Sequence, residues 1–207
     1  VCRAPLRPRG ASGAKNLVLN YLSFILNGLK YYPAAVKGEK FDAIFVFAPS
    51  PITSVIPAIY LKWKLKSHLV VWVQDLWPES LSATGHIKNT WLLDLVAKLV
   101  KRIYRASDRI LVQSRAFVAP VAALTDQPRK VHYYPNLYQP QKDSEPSKNA
   151  QELALLLRRH FSVVFAGNLG TAQALDIVVE AARKLQSHEH IRLVLVGSGS
   201  MGPWLTQ

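Results

Sequence analysis

The sequence is poor in cysteine, in acidic side chains and in long apolar runs. The single cysteine, Cys2, excludes an intrachain disulfide, and no Cys/His cluster has the ligand spacing of a structural zinc site. Apolar runs such as residues 43–49 and 52–61 are much shorter than the about 18 to 20 residues that cross a bilayer. We therefore expect a cytoplasmic protein without a membrane-spanning segment.

Acidic residues are outnumbered two to one, with 13 Asp+Glu against 26 Lys+Arg, which gives a net charge of +13. Such a charge predicts a polyanionic partner or surface: nucleic acid, anionic lipid or a phosphorylated substrate. The basic residues are dispersed, and no recognisable nucleic-acid-binding module is present, so we expect no nucleic acid among the partners. The 49% hydrophobic content is sufficient for a packed core.

Short runs rich in Val, Ile and aromatic residues alternate with longer amphipathic segments. The runs predict buried strands at residues 42–48, 69–74, 108–113 and 130–134. The segments between them predict helices at residues 53–66, 89–105 and 115–124, with Ser114 as an N-cap. A further helix is expected at residues 14–32, ended by Pro33. This order predicts an α/β fold, a parallel sheet with right-handed crossovers and helices on both faces.

A composition change divides the chain. We interpret residues 1–135 as one domain, the Pro- and Asn-rich residues 136–149 as a linker, and residues 150–207 as the beginning of a second domain. We expect the second domain to hold helices at residues 150–159 and 174–186 and strands at residues 161–166 and 191–196. One strand-helix-strand unit is half of a nucleotide-binding domain, and the chain begins at Val1, so we expect a longer protein.

Two glycine turns follow the strands of the second domain. The sequence GNLGTAQ at residues 167–173 joins a predicted strand to a predicted helix, and Gly197-Ser198-Gly199 follows the next strand. Glycines let backbone amides approach a phosphate, and a helix N-terminus adds partial positive charge. Each turn alone is equally consistent with a tight structural connection, but their adjacency favours a nucleotide site.

Polar residues also follow two strands of the first domain. Asp75 is a candidate catalytic residue, and Ser50 and Glu79 are candidates for the acceptor side of a cleft. The structural alternatives are helix caps at Ser50 and Asp75, with Trp77 in the core. We interpret Asn136 as a turn residue.

The predicted helix at residues 53–66 combines apolar and basic side chains. Lys62, Lys64 and Lys66 close a segment containing Ile56, Ile59, Tyr60, Leu61 and Trp63. This composition suits contact with an anionic membrane, although a helix packed on the sheet with a solvated basic end explains it equally well.

Three motifs together carry a family resemblance. The segments VWVQDLWPESLSATG, VVFAGNLGTAQALDIVVEAARKL and LVLVGSGS resemble family 4 retaining glycosyltransferases of the GT-B fold. They are most similar to the bacterial surface-polysaccharide members, including N-acetyl-L-fucosamine transferases. The family's first strand, with its glycine-rich loop, and its paired-glutamate element have no counterpart here, so we expect a chain incomplete at both ends and inactive in isolation.

The resemblance implies two Rossmann-like domains, the second only partly present. It implies that Gly167, Asn168, Gly170 and Gln173 contact the donor diphosphate and that Gly197 and Gly199 lie near the nucleotide. Catalysis would need no metal or other cofactor, because amides replace the divalent ion. Asn168 and Gln173 are neutral where many members carry Arg and Lys, and Ala174 stands where Gly is usual.

The implied reaction is transfer of a sugar, such as an N-acetylated deoxyhexose, from a UDP-sugar to a polyprenyl-diphosphate-linked acceptor. It would serve O-antigen, capsule or exopolysaccharide synthesis at the inner leaflet of the inner membrane, with peripheral attachment of the protein. One alternative is a UDP-sugar 2-epimerase of the same fold. Another is an inactive fragment that acts only as a basic lipid- or nucleic-acid-binding module.

Overall fold

The computed structural model describes residues 1–8, 14–83, 89–138 and 145–206. The chain forms two compact units, Val1–Leu137 and Tyr138–Gln207, and each unit has its own parallel sheet. Part of the predicted linker, residues 139–144, lies outside the described residues. The prediction of an α/β protein built on parallel strands is confirmed.

The first unit contains a four-stranded parallel sheet in the order β1-β2-β3-β4. Its strands agree with the predicted runs to within one or two residues at each end. They are β1 (Ala43–Ala48), β2 (His68–Val73), β3 (Arg109–Val112) and β4 (Val131–Tyr133).

Five helices accompany this sheet. They are α1 (Ala14–Ala35), α2 (Ile56–Leu65), α3 (Glu79–Ala83), α4 (Thr90–Ala106) and α5 (Val118–Ala123). Short 3-10 turns, Ile52–Val55 and Arg115–Phe117, lead into α2 and α5. All five helices contribute side chains to a single apolar cluster against one face of the sheet.

The expectation of helices on both faces is wrong for the described part of the first unit. Alternate strand residues such as Leu69, Val71 and Val73 are fully buried under the helices, whereas Phe45 and Phe47 on the other face are exposed. The strand order explains this difference. Right-handed crossovers between strands that follow one another in a single direction all place their helices on the same side, and covering both sides requires a reversal of strand order.

The sequence predicts that α1 ends at Pro33. In the structure, α1 continues to Ala35. Proline lacks an amide hydrogen and crowds the carbonyl of the preceding turn. In the last turn of a helix this interrupts few bonds, and the Val36 amide still donates to the Tyr32 carbonyl at 3.2 Å.

Side-chain caps fix the starts of α4 and of the turn before α5. The Asn89 side chain accepts hydrogen bonds from the Trp91 and Leu92 amides at 3.0 and 3.4 Å. The Ser114 hydroxyl accepts from the Ala116 amide at 3.3 Å, so its predicted capping role is confirmed. Helix α4 then places Val100, Ile103 and Tyr104 in the core.

The second unit has a smaller sheet than the first, with two strands. Its elements are α6 (Lys148–Arg158), β5 (Phe161–Asn168), α7 (Leu175–Lys184), β6 (Ile191–Ser198) and α8 (Gly202–Leu205). Strands β5 and β6 pair in parallel along their whole lengths. Among the described residues of this unit, Leu169 and Leu175 are the buried apolar side chains.

Within the described ranges, no helix combines the length and apolar character needed to traverse a bilayer.

Candidate functional site

The two glycine turns of the second unit lie side by side at the carboxyl edge of β5 and β6. The sequence predicts residues 167–168 and 197–198 to lie in the turns, but in the structure they are the last residues of β5 and β6. The strand register pairs Gly167 with Gly197 and Asn168 with Ser198. The Leu169 amide donates to the Ser198 carbonyl at 2.9 Å, and the Met201 amide donates to the Leu169 carbonyl at 2.9 Å. The structure therefore brings the predicted donor residues of both turns together.

The second turn needs its glycines in order to approach the first. A Cβ atom at Gly197 would lie 1.8 Å from the Gly167 carbonyl oxygen, and one at Gly199 would lie 2.3 Å from the Leu169 carbonyl oxygen. Any side chain at either position would collide with backbone. These two glycines are thus explained by contact between the turns, before any ligand is considered.

The glycines of the first turn have different surroundings. Gly167 has a φ of +157°, and a Cβ there would meet only the Phe165 ring at 3.7 Å. A Cβ at Gly170 would lie 2.6 Å from the Asn168 side-chain nitrogen. Gly170 therefore leaves room for the Asn168 carboxamide to rest against the turn.

The backbone amides of the first turn differ in exposure. The Gln173 amide donates to the Gly170 carbonyl at 3.1 Å, and in the described part of the chain the Gly170 and Thr171 amides have no backbone acceptor. Gly170 is buried, whereas Thr171 is exposed. Helix α7 follows Ala174, which has a left-handed φ of 48° and makes no side-chain cap bond. The first turn of α7 has no side-chain cap, its Ile177 amide donates to the Ala174 carbonyl at 3.1 Å, and the helix end contributes partial positive charge to this edge.

The charge of the turns themselves is low. Residues 167–173 and 197–201 carry no ionisable side chain, so Asn168 and Gln173 offer hydrogen bonds without charge. Asp176, exposed in the first turn of α7, brings a carboxylate to the same helix end. Attraction of an anion therefore depends on backbone amides and the helix dipole, against the opposing Asp176 charge.

A cavity of about 480 Å³ adjoins the second turn. It is lined by three leucines, three glycines and two hydroxyl residues: Leu169, Leu195, Leu205, Gly197, Gly199, Gly202, Ser198 and Thr206. The volume falls in the usual range for small-molecule sites.

The predicted acceptor-side residues lie at the carboxyl edge of the first sheet. Ser50 is exposed beyond β1, Asp75 is half-buried beyond β2, and Glu79 is exposed at the first residue of α3. Pro51, rather than Ser50, is the capping residue of the 3-10 turn that follows β1. Ser50 therefore does not have the capping role considered for it.

Tyr104, in the buried part of α4, is a residue that sequence reasoning missed. Burial, followed by the charges of Glu79 and Asp75, raises the pKa of Tyr104 well above its usual range. Its side chain is fully buried, and among the described residues its hydroxyl has no hydrogen-bond partner. The structure thus brings both candidate carboxylates into the electrostatic neighbourhood of a buried, protonated phenol.

Carboxamides also meet at the ends of three strands: the sequence did not point to Gln74 and Gln113, and it predicts only a turn at Asn136. The Asn136 side chain donates to Gln74 Oε1 at 2.9 Å, and the Gln113 side chain donates to the Gln74 carbonyl at 3.1 Å. Within the described part, Gln74 Nε2 and Gln113 Oε1 have no partners. The available signal was a glutamine immediately after each apolar run, LVVWVQ and DRILVQ.

Only some side chains of α2 are exposed as the predicted membrane contact requires. Ile56 and Ile59 pack against the core and Leu61 is buried, so these apolar residues are not free for lipid. Lys62 Nζ donates to the Ala106 carbonyl at 2.7 Å and to Asp108 Oδ1 at 2.9 Å.

Outward-facing residues remain on α2. Tyr60 and Trp63 are exposed together with Lys64, and Lys66 is exposed at the C-cap. These four side chains are the part of the predicted membrane helix that is available to a surface.

The described residues contain no group of three or more His, Cys, Asp or Glu side chains placed to hold a metal ion. Comparison with protein-family models and with curated proteins finds no match to this chain.

Proposed function

We propose that the chain is part of a retaining glycosyltransferase of the GT-B fold that uses a UDP-sugar donor. The observation that carries this proposal is the pair of adjoining turns at the carboxyl edge of β5 and β6, where the exposed Thr171 amide has no backbone acceptor in the described part of the chain. Ligands of open parallel sheets bind at that edge, and backbone amides at a helix start favour phosphate oxygens.

The site supports a donor arrangement in which each part has a stated role. The diphosphate would accept hydrogen bonds from Gly170, Asn168 and Gln173, and the nucleoside would occupy the cavity beside Gly197 and Gly199. Amides that stabilise the departing UDP would take the place of a divalent cation. The absence of charged side chains from both turns predicts modest affinity.

On the acceptor side, Asp75 would orient the attacking hydroxyl, with Glu79 and Ser50 along the same edge. Gln74 and Gln113 have buried carboxamide atoms at this edge, and their contacts would hold the strand ends in place. Tyr104 would be protonated at neutral pH, as any tyrosine is, and its raised pKa extends the protonated form to higher pH.

A polyprenyl-diphosphate-linked acceptor agrees with the charge of the chain. The net charge of +13 and the exposed Trp63, Lys64 and Lys66 of α2 suit an anionic inner leaflet. We therefore propose peripheral attachment to the cytoplasmic face of the inner membrane, with the product entering surface-polysaccharide synthesis.

UDP binding by the chain tests this proposal. In Gly170→Val the new side chain displaces the Asn168 carboxamide and covers the Gly170 and Thr171 amides, so calorimetry should show UDP affinity lowered by about tenfold or more. Ala181→Val, at an exposed position of α7 away from the turns, should bind UDP as the unaltered chain does. Equal UDP affinity in the two variants would remove the first turn from the donor site.

Product analysis separates a transferase from an epimerase that uses the same donor turns. A transferase releases UDP only when a polyprenyl-diphosphate-linked acceptor is present, and the sugar appears on the lipid. Formation of a UDP-sugar with altered configuration in the absence of acceptor would show that the protein is a 2-epimerase and not a transferase.

A further inference from the structure

Within the described part of the chain, one face of the first sheet carries exposed aromatic side chains. Successive side chains of a strand point to opposite faces, so the residues that alternate with the buried set share the other face. Phe45 and Phe47 on β1 are 56% and 54% exposed, and Tyr134, just after β4, is 44% exposed. Trp72 on β2 pairs with Phe47 in the register and lies on the same face.

These aromatic rings form a continuous row across the strands. The Trp72 ring lies 6.1 Å from Phe45, 5.4 Å from Phe47 and 5.3 Å from Tyr134, between ring centroids. The Trp72 indole nitrogen also donates to the Tyr134 carbonyl at 3.0 Å. We call Phe45, Phe47, Trp72 and Tyr134 the aromatic row.

The amino-terminal corner of the same face is basic. The register pairs Ala43 with His68 and Val70 with Arg109, so His68 and Arg109 share the face of the aromatic row. A cavity of about 740 Å³ at this corner is lined by these two residues and by Arg129, Lys130 and His132. We call these five residues the basic pocket.

The carboxylate that lines the basic pocket is already engaged. Asp108 accepts hydrogen bonds from the Lys62 ammonium at 2.9 Å and from the Leu69 amide at 2.7 Å. The pocket therefore keeps uncompensated positive charge from two arginines and a lysine. An acidic group is the chemical complement of that charge.

The form of this face favours a helix as its occupant. Parallel sheets are almost always covered on both faces, and the usual cover is a layer of helices with apolar stripes. The rings of the aromatic row are tilted against Trp72 by 56° to 77°, so they pack on one another rather than present parallel platforms for bases. A second copy would bring another chain of charge +13 and another basic pocket to the interface.

We propose that this face docks an amphipathic α-helix of a polypeptide partner. The apolar stripe of the helix covers the aromatic row, and acidic side chains at one end of the helix enter the basic pocket. The apolar contact supplies most of the affinity, and the charged end fixes the direction in which the helix lies. This docking surface is independent of the glycosyl-transfer proposal, because it uses none of the donor or acceptor residues.

Designed peptides of known sequence test the docking surface on the full chain. The probe is a labelled helical peptide of about 18 residues, roughly 27 Å long, with a leucine stripe and glutamates at one end. Its matched partner has lysines in place of the glutamates, and a scrambled peptide lacks the stripe. Fluorescence anisotropy should show the acidic peptide bound at least about tenfold more tightly than either control.

Substitutions on the face provide the second arm. Phe47→Ser should weaken binding of the acidic peptide by about tenfold, whereas Trp63→Ser, which removes an exposed aromatic residue from α2, should not. Arg109→Glu should weaken the acidic peptide and strengthen the lysine-ended one, while Lys101→Glu on α4 should affect both much less. Circular dichroism identifies any variant that unfolds. If Phe47→Ser or Arg109→Glu unfolds, peptide binding by the other of these two tests the docking surface.

Three outcomes would overturn the proposal. In the first, the acidic and lysine-ended peptides bind with equal affinity. In the second, Phe47→Ser and Arg109→Glu both leave binding of the acidic peptide unchanged. In the third, a single-stranded oligonucleotide would bind more tightly than the acidic peptide and respond to the same substitutions, which would make the face a nucleic-acid surface.

Discussion

At the residue scale, Asp108 connects three elements of the first unit. One carboxylate oxygen accepts from the Leu69 amide of β2, and the other accepts from Lys62 of α2. Burial alone would raise the pKa of Asp108, but the Leu69 amide, the Lys62 ammonium and His68 together lower it below its usual value. The charged form is therefore the form that the fold stabilises.

Replacing this carboxylate should give a pH-dependent loss of stability. Because the folded pKa is lower than the unfolded pKa of about 3.9, Asp108 stabilises the fold above that value and less as pH falls through the folded pKa. In urea unfolding, Asp108→Asn should have a lower midpoint than the unaltered chain at neutral pH. The difference should narrow below about pH 4, and a difference that stays constant with pH would contradict this role.

The residues of the candidate site were only partly predictable. Local spacing identified Gly167, Gly170, Gly197 and Gly199, because strand-turn-helix connections have a local signature. It could not reveal that Gly197 and Gly199 face the neighbouring turn, since that contact joins separate strands.

The carboxamide contacts at the acceptor edge have no local signature either. Gln113 and Gln74 are 39 residues apart in the chain, and Asn136 and Gln74 are 62 apart. Such pairs are set by strand register, which a single sequence does not encode as a local pattern. Tyr104 escaped attention for a similar reason, because a tyrosine within an amphipathic helix looks like ordinary core.

At the scale of elements, periodicity predicted the strands and most helices well. The six strands were found because short β-branched runs bounded by polar residues have few alternative structures. The error at Pro33 arose from treating proline as an absolute stop, although a proline in the last turn of a helix interrupts few bonds.

The cap of α4 provides a prediction at this scale. Asn89→Ala removes the acceptor for the Trp91 and Leu92 amides and should lower the free energy of unfolding of the first unit by about 1 kcal/mol. Asn89→Asp keeps the acceptor and should retain most of the stability. Chemical denaturation of both variants measures the free energy of unfolding. Equal losses of stability in the two variants would show that the cap hydrogen bond does not account for the effect.

At the scale of the whole molecule, the two units differ in their cores. The first unit has a continuous cluster beneath its sheet, including Leu69, Val71 and Ile110 at full burial. In the second unit, the described apolar residues that reach burial are Leu169 and Leu175. Apolar burial is the dominant stabilising contribution, so the units should differ in local stability.

Hydrogen exchange should reveal this difference directly. Amides of β2 and β3 should exchange most slowly, and those of β5 and β6 should exchange faster by at least about tenfold. Mass spectrometry of peptides from each strand measures the rates. Equal protection in the two sheets would mean that the second unit is stabilised by something other than its own core.

The central claim is that the adjoining turns of the second unit bind the diphosphate of a nucleotide. Amide chemical shifts of the isotopically labelled chain, followed during titration with UDP and separately with uridine, test it most directly. UDP should shift the Gly170, Thr171 and Gly199 amides, and uridine should shift the first two much less. A UDP response confined to the basic pocket around Arg109, with both turns unmoved, would contradict the account.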